Sequence, residues 1–181
     1  WADDWWAQGA RQARALVDHL GYDACAVMGT SGGAIAALWM AVLFPDAVRG
    51  VIADSCVQHF TEAMLRDNIV AARARRAPGQ VAFWQHAHGE DWAQVVDADT
   101  DLIRRFVARG GTWLEDRLDE IEAPVLFTSS AGDAMLPAVR AEVMAMSAQI
   151  PDSRVYLHAE GDHPLMWTQP AAFRHQADFF L

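Results

Sequence analysis

Four short apolar runs divide the chain: ACAVMG at 24–29, VRGVIADS at 48–55, PVLFTSS at 124–130 and SRVYLHA at 153–159. Runs this brief and this continuously apolar suit strands buried on both faces, which arise where helices cover a parallel sheet on either side. Helical patterns lie between them. Residues 3–21 carry Trp6, Ala10, Ala13, Leu16, Val17 and Leu20 on one helical stripe, with Asp3 or Asp4 placed to cap and Gly21 placed to stop it. GGAIAALWMAVLFP reads as a buried helix halted at Pro45, LPAVRAEVMAMSAQIP as another, and QPAAFRHQADFFL as a closing helix with Pro170 in its first turn. The expected fold class is α/β, a parallel sheet with helices on both faces.

From Val57 to Glu120 no strand-like run occurs, and helical patterns are broken only by APGQ at 77–80 and by Gly110–Gly111. This reads as a helical insertion. The expected organisation is therefore a first part of the sheet at 1–56, the insertion at 57–120 and a second part of the sheet at 121–181.

The chain has 181 residues, 52% apolar and 21% charged, enough for one packed core and far from the composition of disordered chains. Its net charge is −10 and every Lys or Arg position is Arg, so nucleic acid and anionic membranes are excluded as expected partners by repulsion. Cys25 and Cys56 lack the density or spacing of a disulfide framework or zinc site. They are expected to be free, because a stagger of about five residues at roughly 3.3 Å each separates them along adjacent strands.

Between Ala24 and Pro45 the only polar side chains are Thr30 and Ser31, long enough an apolar stretch to suggest a membrane span. A span would carry Gly29, Gly32 and Gly33 in mid-helix at about 1 kcal/mol each. A strand, a sharp turn and a helix use all three. Gly29-Thr30-Ser31-Gly32-Gly33 then fits G-x-S-x-G at a nucleophile elbow, where the serine is strained at the tip of the turn. Side chains two residues to either side are expected to collide, so glycine is expected at both 29 and 33. The helix N-terminus favours an incipient oxyanion, with the Gly32 N–H as one donor. The plainer alternative is that Ser31 only caps the helix.

A serine hydroxyl needs a base, and the base an orienting acid. In parallel sheets such groups gather past the carboxyl ends of strands. Asp133, in SSAGDAMLP, follows the third run, and His163, in HAEGDHPLMW, follows the fourth. Asp54 also follows a strand and is the other candidate acid. His158 falls within a strand and is expected to be packed, and Asp162 reads as a turn residue. His86 and His88 would point to nearly opposite sides of a helix, against a metal pair, and His19 and His175 read as helix-surface residues.

With GTSGGAIAALWMAVLFPDAVRGVIADS, GDAMLP and GDHPLMW in this order around a lid-like insertion, the chain resembles the α/β-hydrolase superfamily over nearly its whole length. The resemblance implies that Ser31 is the nucleophile, Asp133 the acid and His163 the base, with no cofactor and no metal. It also implies about four further strands before these residues, one loop of which donates a second oxyanion N–H. The first strand is accordingly expected to be an exposed edge, completed by an N-terminal segment or a second copy of the chain. Phe60, Met64, Leu65, Phe83, Trp84, Trp92, Phe106 and Trp113 exceed the apolar needs of thin helices, so some are expected to line an acyl pocket and others to pack the lid. The substrate-binding set expected is Thr30, Phe60, Met64, Trp84 and Met135.

The implied activity is cleavage of small or medium apolar carboxylic esters through an acyl-enzyme. Carbon–carbon cleavage, lactone opening and acyl transfer use the same parts. The alternative is a ligand-binding module, or an inactive fragment, on the same fold. The expected location is the cytoplasm.

Overall fold

A computed structural model describes all residues from Trp1 to Leu181. The four apolar runs form four parallel strands, β1 (Cys25–Thr30), β2 (Val48–Asp54), β3 (Val125–Ser130) and β4 (Ser153–His158), in the spatial order β1-β2-β3-β4. The central strands are the most buried, their neighbours on either side shielding them. β3 is buried at every position, and β2 at every position but Arg49. β1 is an edge strand, with Met28 56% exposed.

Register brings the carboxyl ends of the strands together. Thr30 pairs with Asp54, Asp54 with Thr128 and Ser130 with His158. The residue that leaves each strand is tied to its neighbour: Ser31 N–H donates to the Asp54 carbonyl (2.8 Å), Ser55 N–H to that of Thr128 (2.7 Å) and Ala131 N–H to that of His158 (2.8 Å). The three post-strand loops therefore emerge side by side.

On one face of the sheet, Ile52 and Leu126 pack with Phe173 and Ala177 of the Pro170–Phe180 helix, joined by Tyr156, Met166 and Phe180. Helix α2 (Gly32–Leu43) lies against β1 and β2 and buries Ala34, Ile35, Leu38, Trp39 and Met40. Its apolar character is that of a core helix, and no helix in the protein is long and apolar enough to cross a membrane.

Helix α1 (Trp5–His19) packs on α2 through small residues. Ala7 and Ala10 are buried, and a Cβ on Gly9 would sit 3.7 Å from the Ala36 Cβ. The helix ends as expected at Gly21, which adopts φ 77°. Its apolar stripe is only partly used, since Ala13, Leu16 and Leu20 are exposed. A pattern of 3.6 residues marks a face but not how far its partner extends along it. Asp4 occupies the cap position without a cap bond, and its carboxylate takes Gln8 and Arg11 instead.

Residues His59–Thr112, with Trp1–Asp3, form a separate compact unit that is almost wholly helical. An isolated bridge between His59 and Thr112 closes it at its base, where the Phe60 N–H donates to the Gly111 carbonyl. Gly111 is required there, because φ is 65° and a Cβ would overlap the Phe60 carbonyl. Inside the unit Trp84 stacks on Trp92 (5.8 Å between centroids), Arg76 lies over the Trp92 ring, and Arg73 pairs with Asp99 and donates to Thr100. The Asp3 carboxylate, held by Arg105 and Arg109, is pulled below its ordinary pKa.

Cys25 pairs with Val48, whereas Cys56 lies two residues beyond Asp54, the partner of Thr30. Burial, aided by the charge of Asp54, pushes the Cys56 thiol up to about 12. Titration of unfolded, unreduced protein should find both thiols free, and a polar thiol reagent on the native protein should modify Cys25 and spare Cys56. Finding neither thiol in the unfolded protein would contradict this strand register.

Candidate active site

The site begins at the turn between β1 and α2. Ser31 sits there at φ 54° and ψ −124°, a backbone state that side-chain-bearing residues rarely adopt and that must be held by its surroundings. It is held on both sides, by the Ser31 N–H to Asp54 carbonyl bond and by the Ala34 N–H, which donates to the Ser31 carbonyl (3.0 Å). Gly29 makes the turn possible. A Cβ at that position would overlap the Gly33 carbonyl group and lie 2.7 Å from the Ala34 nitrogen.

Gly33 differs from expectation, because a Cβ there would meet nothing within 4 Å. The crowding is between the side-chain position of residue 29 and the backbone of residue 33, so only the first glycine is sterically demanded. Ser31 stands at the helix N-cap position, yet its hydroxyl makes no cap bond. The plain capping reading is thereby overturned: the hydroxyl lies 2.9 Å from Nε2 of His163.

His163 comes from the loop after β4, and its Nδ1 is 2.8 Å from Oδ2 of Asp133 in the loop after β3. Asp133 is buried, and its second oxygen accepts the N–H groups of Met135 (2.9 Å) and Leu136 (3.0 Å), which fixes the carboxylate plane. This network calls for the tautomer with the proton on Nδ1, donating to Asp133, while Nε2 accepts from Ser31 Oγ. The chain of bonds joins residues 132 positions apart in sequence.

Asp54, the other candidate acid, does not meet His163. It is fully buried, and its oxygens accept from Thr30 Oγ1 (2.8 Å), Thr128 Oγ1 (2.7 Å) and the Met166 N–H (3.3 Å). Burial raises its pKa above the ordinary carboxyl value, and these bonds oppose the rise. Beside it Ser55, at φ 53°, accepts the Leu165 N–H on its hydroxyl (2.8 Å). Asp54 and Ser55 thus fasten the end of β1 and the segment after His163 to the centre of the sheet. Sequence reasoning missed this hub, although Thr30, Asp54 and Thr128 were visible as polar residues at the ends of three apolar strands.

Of the substrate-binding residues expected, Thr30 has its hydroxyl on Asp54, and Met135 is half-buried on the Asp133 loop. Phe60, Met64 and Trp84 are buried residues of the helical unit. The turn has one aromatic neighbour that was not anticipated there. A Cβ on Gly32 would lie 3.4 Å from Nε1 of Trp6, whose ring meets Trp113 edge-on with centroids 4.3 Å apart. His86 and His88 are exposed, and Nδ1 of His158 lies 2.8 Å from the Glu160 carbonyl.

No family model matches the sequence. The parallel sheet, its flanking helices and the strand-turn-helix at Ser31 are nevertheless those of an α/β-hydrolase fold, present here in part. The chain is similar to NosK from Streptomyces actuosus, at 20% identity over 99% of this chain and 77% of that one, with a TM-score of 0.71. A hydrolase from Pseudomonas aeruginosa matches at 21% identity over 92% of this chain and 68% of that one, TM-score 0.65. Proline iminopeptidase of Mycobacterium smegmatis matches at 20% identity over 99% and 73%, TM-score 0.62.

Proposed function

We propose that the protein is a serine hydrolase that cleaves carboxylic esters of small or medium apolar substrates through a covalent acyl-enzyme. The observation that carries this reading is the continuous bond chain from Ser31 Oγ through His163 to Asp133. In this reading His163 Nε2 takes the Ser31 proton as Oγ attacks the ester carbonyl, and Asp133 stabilises the imidazolium that forms. The tetrahedral oxyanion develops at the N-terminus of α2, where the Gly32 N–H donates to it. Collapse expels the alcohol, which takes the proton from His163, and water activated by the same imidazole then releases the acid. The naming of two of the neighbours, a hydrolase and a proline iminopeptidase, supports a hydrolytic reaction.

A fluorophosphonate probe should form one adduct, located on Ser31 by mass spectrometry, and p-nitrophenyl esters of short acids should be hydrolysed. Absence of the adduct on folded protein favours the ligand-binding alternative. Asp133→Asn should slow both reactions by about 10²-fold or more, because the amide favours the wrong imidazole tautomer. Asp54→Asn should stay within about tenfold of the parent, since Asp54 holds the Thr30 and Thr128 hydroxyls and the Met166 N–H rather than His163. Reversal of that order would move the acid role to Asp54.

A further inference from the structure

The loops that carry Asp133 and His163 are joined at their roots and again near their tips. At the roots, the Ala131 N–H donates to the His158 carbonyl (2.8 Å) and Ser130 Oγ donates to the Glu160 carbonyl (3.1 Å). Near the tips a single carboxylate oxygen spans the gap. Oδ1 of Asp162 accepts the N–H of Ala134 (3.0 Å) in one loop and of His163 (2.8 Å) in the other. These are the peptide groups directly following Asp133 and directly preceding the His163 side chain.

A simple turn aspartate bonds its own chain a residue or two ahead, but this one also reaches 28 residues back to the neighbouring loop. Asp162 is itself anchored, because its N–H donates to Thr168 Oγ1 (3.1 Å), in a turn where a Cβ on Gly161 would crowd that same hydroxyl at 3.0 Å. The two amide bonds also draw the carboxyl below its ordinary pKa, so the acceptor is ionised at neutral pH.

We infer that Asp162 is a positioning residue, whose carboxylate sets the separation of the Asp133 and His163 loops and so the alignment of the imidazole between Asp133 and Ser31. This rests on the reading of those three residues as acid, base and nucleophile. Oδ1 of Asp133 is already committed to Met135 and Leu136, so only Oδ2 faces the ring, and a small shift of the Ala134 peptide turns it away. Misplacement of about 1 Å is enough to cost on the order of 10²-fold in rate.

The test compares Asp162→Ala with Asp162→Asn in the whole chain, by the rate and concentration dependence of fluorophosphonate labelling at Ser31. The alanine variant should label about 10- to 100-fold more slowly at saturating probe, with the half-saturating concentration within about twofold of the parent. The asparagine variant, whose amide oxygen can accept both N–H groups, should recover to within about threefold. Should Asp162→Ala not fold, Asp162→Leu takes its place in the comparison. Parental labelling by a folded alanine or leucine variant overturns the inference, as does an asparagine variant no faster than the alanine one. If the parent protein itself does not label, the underlying reading of Ser31 fails first and the positioning role falls with it.

Discussion

Replacing Ser31 with alanine is expected to leave a folded protein that forms no fluorophosphonate adduct and hydrolyses activated esters about three or more orders of magnitude more slowly. The hydroxyl is the group of the turn that reaches His163, so its removal deletes the proposed nucleophile while every backbone bond of the turn persists. Stability should hardly change, because alanine keeps the Cβ that makes φ 54° costly. Ser31→Gly should be equally inactive yet more resistant to urea, by about 1 kcal/mol, as the strain stored at the tip is released. Thermal and urea melts of the two variants, read beside ester turnover, check both halves of this expectation. Unchanged turnover in Ser31→Ala would remove the nucleophile assignment outright.

The second large effect is a contrast between two glycines of one motif. Gly29→Ala should cost on the order of 4 kcal/mol or more, since its Cβ falls onto the Gly33 carbonyl and the Ala34 nitrogen, rigid backbone at the start of α2. The turn would have to open, and β1 or α2 would lose its place against β2. Gly33→Ala should be tolerated and should stabilise α2 by about 0.5–1 kcal/mol, because the site is open and helical. Urea midpoints of the two variants decide the matter. Equal damage from both would mean that the crowding seen at residue 29 is not what keeps the turn closed.

Much of the fold was legible because it is encoded over short stretches of chain. Continuous apolar runs mark strands covered on both faces, and Gly21 and Pro45 mark where helices stop. The G-x-S-x-G stretch requires a strand, a turn and a helix because no single regular element accommodates its glycines. Asp133 and His163 could be singled out for the same local reason, each being polar and just past a buried strand.

What the sequence by itself determined, then, is which segments are strands and helices, where the sharp turn falls, and which polar residues lie at strand ends. The tertiary structure alone decided which of those residues meet. The parallel register places Thr30 beside Asp54 and Asp54 beside Thr128, so the Asp54 carboxylate is absorbed by their hydroxyls, and it is the Asp133 carboxylate that reaches His163. Tertiary packing also left Leu16 and Leu20 of α1 exposed, released Gly33 from steric need and set Asp162 across two loops. The physical reason is one of range. Helical periodicity and backbone sterics act between near neighbours in sequence, whereas a hydrogen bond or a packed face needs a partner whose distance is set by how whole strands align.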